Sequence, residues 1–199
     1  MFIRSTLLVL ALVAAPAAAA PLDEVAAALR ATTSMTADFT QTAADGRVAR
    51  GTMRLVRPGK VRFDYTKSQL LIIADGRTLS MIDYKVSQVS QWPIGQSPLA
   101  ALLDPNKELG RVARVVGQTP GAIRVEARDP KHPEYGAITM TFERRGDAPG
   151  GLALTGWTAL DAQNNRTEVV LSNVRSNVAV AASSFKFRDP RTRVPGRPV

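Results

Sequence analysis

The spacing of apolar residues changes once near the start of the chain, and the new period then holds almost to the end. Leu22, Val25 and Leu29 recur at helical spacing, Asp23 and Glu24 fall in the first turn, and alanines fill the gaps. That pattern predicts a short helix over residues 22–33. From residue 34 the chain alternates with period two, through Met35 and Phe39 as far as Gln41. Ala49, Gly51, Met53 and Leu55 then alternate with Arg50, Thr52, Arg54 and Val56. After the turn Arg57-Pro58-Gly59-Lys60, Val61, Phe63 and Tyr65 share one strand face and Arg62, Asp64 and Thr66 the other. Residues 70–73 are continuously apolar, Asp75-Gly76 is a hairpin signal, and residues 79–84 pair back. This half reads as a β-meander.

Between residues 86 and 110 the pattern loosens. Residues 97–103 predict a short helix with Ser97 as its cap and Pro98 as its first residue, ended by Asp104-Pro105-Asn106. Strands resume over residues 111–117, 122–128, 136–145, 151–161 and 166–176, divided by short turn clusters. Phe185-Lys186-Phe187 predicts a last edge strand. About ten strands on short connections should be antiparallel, with two or three helical pieces to cover the buried face. The expected fold is mainly β (α+β): a curved antiparallel half-barrel, an incomplete barrel whose open apolar side is covered by a few short helices. So much apolar lining under so little cover points to a cavity.

The first nineteen residues stand apart from this pattern. Arg4, an apolar run over residues 7–13 and an alanine-rich stretch over 14–20 have the logic of a secretory signal cut after Ala19. A retained span would need about 20 apolar residues. The expected organisation is a signal over residues 1–19, one domain over 20–188, and a Pro- and Arg-rich tail over 189–199 that is extended or mobile, in a periplasmic protein. The chain has no cysteine, so the core alone must hold the fold. That also excludes thiol catalysis, zinc–thiolate sites and a lipidated N-terminal cysteine. The net charge of +9 allows anionic partners such as a membrane surface or an acidic protein, or serves solubility alone. Export and the scatter of basic residues along strands argue against nucleic acid.

Few side chains are suited to chemistry. The single histidine, His132, sits in a Pro-rich turn with no metal-binding or triad partners in sequence. There is no nucleophile elbow or phosphate loop, and no carboxylate pair shares an apolar setting. The chain is therefore expected to be no enzyme and to need no cofactor or metal. What remains distinctive is an apolar strand face ending in a charge: Met53, Leu55 and Arg57 on one strand, with Val61, Phe63 and Tyr65 on the next. Two readings of it stand. Either a helix simply packs the face and Arg57 is solvated in its turn, or Arg57 lies at the rim of an apolar pocket and reaches the carbonyls of a covering element.

At these residues the sequence resembles the periplasmic outer-membrane lipoprotein carrier family, the LolA type. The resemblance lies in Asp38-Phe39-Thr40-Gln41, in residues 51–65 with their Arg57-Pro58-Gly59 and Arg62-Phe63-Asp64-Tyr65, in residues 72–79 around Asp75-Gly76, in residues 98–103, and in Phe185-Lys186-Phe187. It implies an acyl-chain cavity and lid built from Met53, Leu55, Arg57, Val61, Phe63, Tyr65, Ile72, Leu79, Met81, Leu99, Leu102 and Leu103. Arg57 matches the family arginine that holds the empty pocket closed. Phe63 and Val61 stand where tryptophan and phenylalanine are usual. The implied partners are acylated lipoproteins, an inner-membrane lipoprotein-releasing ABC transporter, and an outer-membrane acceptor or the membrane itself, with the carrier a monomer. A sensor domain that binds a lipid or a protein segment on the same half-barrel is the alternative, and a periplasmic hydrolase the third.

Overall fold

The computed structural model describes residues 20–97 and 99–191, with the side chains of residues 105–108 set aside. Residues 1–19, expected from sequence to be a secretory signal, Pro98 and the last part of the tail lie outside the described residues. Helix α1 (Pro21–Ala31) leads into β1 (Ser34–Thr42), β2 (Val48–Val56), β3 (Lys60–Tyr65), β4 (Leu70–Asp75), β5 (Thr78–Asp83) and β6 (Gln88–Pro93). Helices α2 (Ala100–Leu103) and α3 (Pro105–Val112) follow. The second run of strands is β7 (Ala113–Gln118), β8 (Ala122–Arg128), β9 (Ala137–Arg144), β10 (Leu152–Leu160) and β11 (Arg166–Ser176). All eleven form one open antiparallel sheet in the order β6-β5-β4-β3-β2-β1-β11-β10-β9-β8-β7. Each half is a meander, and the halves meet where β1 pairs with β11. Among the described residues no helix is long and apolar enough to cross a membrane.

The inner face carries the main core. Phe39, Met53, Leu55, Val61, Ile123, Val125, Ile138, Met140 and Phe142 are all nearly inaccessible. Three helices cover part of it, with Val25, Ala28 and Leu29 of α1, Ala101, Leu102 and Leu103 of α2 and Leu109 of α3 buried against the sheet. Each helix is too short to persist alone, so packing of its apolar side holds it in place.

Three local expectations change. The helix expected to end at Asp104 is followed at once by another. Pro105 keeps Asp104 out of the helical region (φ −132°, ψ 72°) and then itself begins α3. The loose region holds an edge strand, β6, whose final residue Pro93 is tolerated because it needs no ladder donor there. Phe185-Lys186-Phe187 is not an edge strand. Ala182–Phe185 is a 3-10 turn that presses Phe185 onto Leu71, Ile73 and Ile82 on the outer face. The carbonyls a strand would have paired are taken by Arg62, whose Nη1 donates to Ser184 O (3.1 Å) and Lys186 O (3.0 Å). Asp64 accepts from Arg62 and also pairs with Arg54 at 2.7 Å, which fixes that clamp.

Candidate functional site

The site begins with a glycine. On the inner face Phe39, Gly51 and Tyr65 lie side by side on β1, β2 and β3. A Cβ on Gly51 would stand 2.7 Å from Phe39 Cε1 and 2.0 Å from the carbonyl oxygen of Asp64. With no side chain there, the Phe39 ring can approach β3 across β2. It meets Phe63 edge-on at 5.6 Å and Tyr65 edge-on at 5.1 Å, and Phe63 meets Trp157 at 6.0 Å. T-shaped contacts of this kind fix ring planes as well as burying area.

Beyond these rings the inner face is not filled. A cavity of about 310 Å³ opens to solvent between β3–β5 on one side and β9–β11 on the other. Its walls are Phe63, Tyr65, Ile72, Leu79, Trp92, Leu99, Ile138, Trp157, Ala159, Leu160 and Val169. Polar groups are few, and Glu134, Asp161 and Asn165 on the surface side are exposed. The Asp161 carboxylate is occupied by its own turn, accepting from Gln163 N, Asn165 N and Asn165 Nδ2, and these bonds hold it below the usual carboxylate range. His132 stacks on Tyr135 at 4.7 Å and its Nδ1 lies 3.0 Å from Glu134. Burial pushes the Tyr65 phenol up to about 12, so it stays neutral, and it donates to Gln41 Oε1 at 2.7 Å. An apolar hollow with a handful of polar groups suits the holding of a greasy ligand.

The other end of the inner face is closed. Arg57 Nε donates to Thr32 O at the end of α1 (2.8 Å) and its Nη1 donates to Leu102 O in α2. The same turn adds backbone bonds from Arg57 N to Thr33 O and from Gly59 N to Leu103 O. Burial lowers the Arg57 guanidinium to about 10, against the pull of Asp104, and at neutral pH it remains a cation. One partly buried charge therefore ties both covering helices to the β2–β3 turn. Of the two readings left open by the sequence, the solvated arginine is the one this geometry removes.

A sequence model of the outer membrane lipoprotein carrier protein LolA family matches residues 30–188. The chain belongs to that family. It is 32% identical over 190 residues to the outer-membrane lipoprotein carrier protein of Chromobacterium violaceum, covering 89% of this chain and 88% of the other. The corresponding protein of Cupriavidus taiwanensis is 30% identical over the same coverage. Among solved structures, an uncharacterized conserved protein from Thermus thermophilus shares the fold with a TM-score of 0.51 at 10% identity, over 83% of this chain and 92% of that one.

Within this LolA-family chain the twelve residues named from sequence separate into groups. Phe63, Tyr65, Ile72, Leu79 and Leu99 line the cavity. Met53, Leu55, Val61, Leu102 and Leu103 lie in the packed core under the helices, each at 0–1% exposure. Arg57 ties α1 and α2 to the β2–β3 turn, and Met81 is half-buried away from the cavity lining. Sequence reading missed the far wall, Ile138, Trp157, Ala159 and Val169, and also Trp92 on β6 and Gln41 on β1. For Trp157 the obstacle was a bulge. The β9–β10 register slips between Leu154 and Gly156, which puts Leu154 and Trp157 in the same core although they differ in parity.

Proposed function

We propose that this chain is a periplasmic chaperone that takes the acyl chains of lipoproteins into its cavity and carries them from an inner-membrane transporter to the outer membrane. The observation that carries the reading is the apolar hollow lying beside a closed end whose two helices are tied by one arginine. Two relatives named outer-membrane lipoprotein carrier protein, matched over most of their length, support it. A single acyl chain of about 14 CH₂ groups costs about 11 kcal/mol to expose to water at about 0.8 kcal/mol each, so unaided crossing of an aqueous compartment is prohibitively slow. A carrier has to cover that surface and still let go of it.

The empty cavity lies at the small end of the range for ligand pockets, about 300–1,000 Å³. Loading therefore enlarges it, by α1 and α2 moving off the closed end and exposing Met53, Leu55 and Val61. The hydrogen bonds of Arg57 stabilise the empty closed state and so favour release. Export through the segment over residues 1–19 places the carrier in the periplasm as a monomer, where an ABC transporter loads it and an outer-membrane acceptor or the membrane itself receives the cargo. Arg57→Leu should leave capture of an acylated lipoprotein intact and slow its transfer to acceptor membranes. Transfer by that variant at the wild-type rate would discard the arrangement.

A further inference from the structure

One side chain in the cavity breaks the pattern around it. On β1 the inward positions run Met35, Ala37, Phe39 and then Gln41, and the first three are 2–5% exposed. The fourth inward place holds an amide where the alternation calls for a hydrocarbon. On β3 the inward run Val61, Phe63, Tyr65 ends the same way, in a hydroxyl. These two polar ends meet over β2, which offers only Ala49 and Gly51 at that level, so Tyr65 Oη reaches Gln41 Oε1 at 2.7 Å. Because the phenol is neutral, it commits the amide oxygen of Gln41. The amide nitrogen makes no hydrogen bond among the described residues. Among the described residues no buried side-chain nitrogen or oxygen is left without a partner, so that nitrogen is not sealed in the core. Gln41 lines the cavity, and its amide N–H pair has no protein acceptor among the described residues.

We propose that Gln41, oriented by Tyr65, is the polar anchor of the cavity. Its amide nitrogen donates to the carbonyl of a fatty acyl ester or amide on the cargo and so sets how deep the chain sits. This rests on the acyl-carrier reading. A chain threaded toward the closed end passes Phe63 and leaves its carbonyl group at the open end, where Gln41 stands. The carbonyl sheds water on entering an apolar hollow, and a donor already in place offsets that loss. Tyr65 is here a positioning residue, since it acts through Gln41.

Two probes with the same chain and the same glycerol group separate the carbonyl from the hydrocarbon: monopalmitoyl glycerol, an ester, and hexadecyl glyceryl ether, which lacks the carbonyl. The full chain should bind the ester more tightly than the ether. Gln41→Leu should weaken ester binding about fivefold, the equivalent of about 1 kcal/mol, and leave ether binding unchanged. Tyr65→Phe should weaken the ester less than Gln41→Leu does and again spare the ether. Gln41→Met serves the same comparison where leucine disturbs folding. In the wild type the isotope-labelled ester carbonyl stretch should fall to lower frequency than in either Gln41 variant, a shift that a merely structural role for Gln41 would not produce. Equal losses for both probes, or an unchanged carbonyl stretch, overturns the anchor while the carrier reading stands. Failure of the wild type to bind either probe overturns the carrier reading and the anchor with it.

Discussion

The two ends of the inner face are built from neighbouring residues of the same strands and behave as different materials. Under the helices, Met53, Leu55 and Val61 are completely covered, with Leu102 and Leu103 against them. Two and four residues further along β3, Phe63 and Tyr65 face open space. What separates the ends is the cover, because the sheet continues unchanged while α2 is a single turn and no described residue of α1 or α3 lines the hollow. An interior void costs the contacts its lining does not make. A protein that keeps one despite that cost can use it for something brought from outside.

The contrast can be tested at increasing resolution. The largest effect should be on stability: Leu55→Ala should cost about 2–5 kcal/mol in a urea melt, because a fully packed leucine leaves a cavity behind it. Ile72→Ala, on the cavity wall, should cost less than half as much, since one side of that residue already lacks neighbours. Equal costs would mean that the far end is as solid as the near one. Next, Ala159→Phe should fill the hollow from β10 and abolish binding of an acyl probe with little change in melting temperature, whereas a clear drop in stability would show there was no room.

Acid gives a smaller effect, and at Asp64 it acts on the outer face. Burial raises the Asp64 carboxyl, but the guanidiniums of Arg62 and Arg54 outweigh it and hold the group below the usual carboxylate range. Its folded-state pKa thus lies under that of the unfolded chain, about 3.9. The pairing contributes fully above that value and is lost as pH falls through the folded one. The clamp on Ser184 and Lys186 should therefore loosen in acid, seen as a drop in urea midpoint that is smaller in Asp64→Asn than in the wild type. A probe bound on the inner face should stay bound over the same range.

Most of the sheet could be read from alternation alone, since each strand covered on one face shows the period of its pleat. The readings that changed involve residues answering to two neighbours at once. Leu71 and Ile73 are apolar because the outer face of β4 is also covered, by Phe185, so the run over residues 70–73 hides which face is which. Phe185-Lys186-Phe187 alternates like a strand, yet its backbone partner is a side chain, Arg62. At the site, the wall from β3 to β5 was legible because Phe63, Tyr65, Ile72 and Leu79 sit close in sequence. The opposite wall comes from β9 to β11 and was invisible until the chain closed on itself, and the bulge beside Gly156 had reversed its parity.

The first strand of the sheet lies at its centre, flanked by the second and the last. Residues as far apart as Asp38 and Asn173, 135 positions in sequence, hydrogen-bond across that junction at 2.7 Å. Every other strand pairing is between consecutive strands and can form early, but this one carries the entropy of closing nearly the whole chain into a loop. The two meanders can therefore assemble separately while the hollow between them does not yet exist. The hollow has both of its walls only once the final strand has paired with the first, so the cavity is completed last.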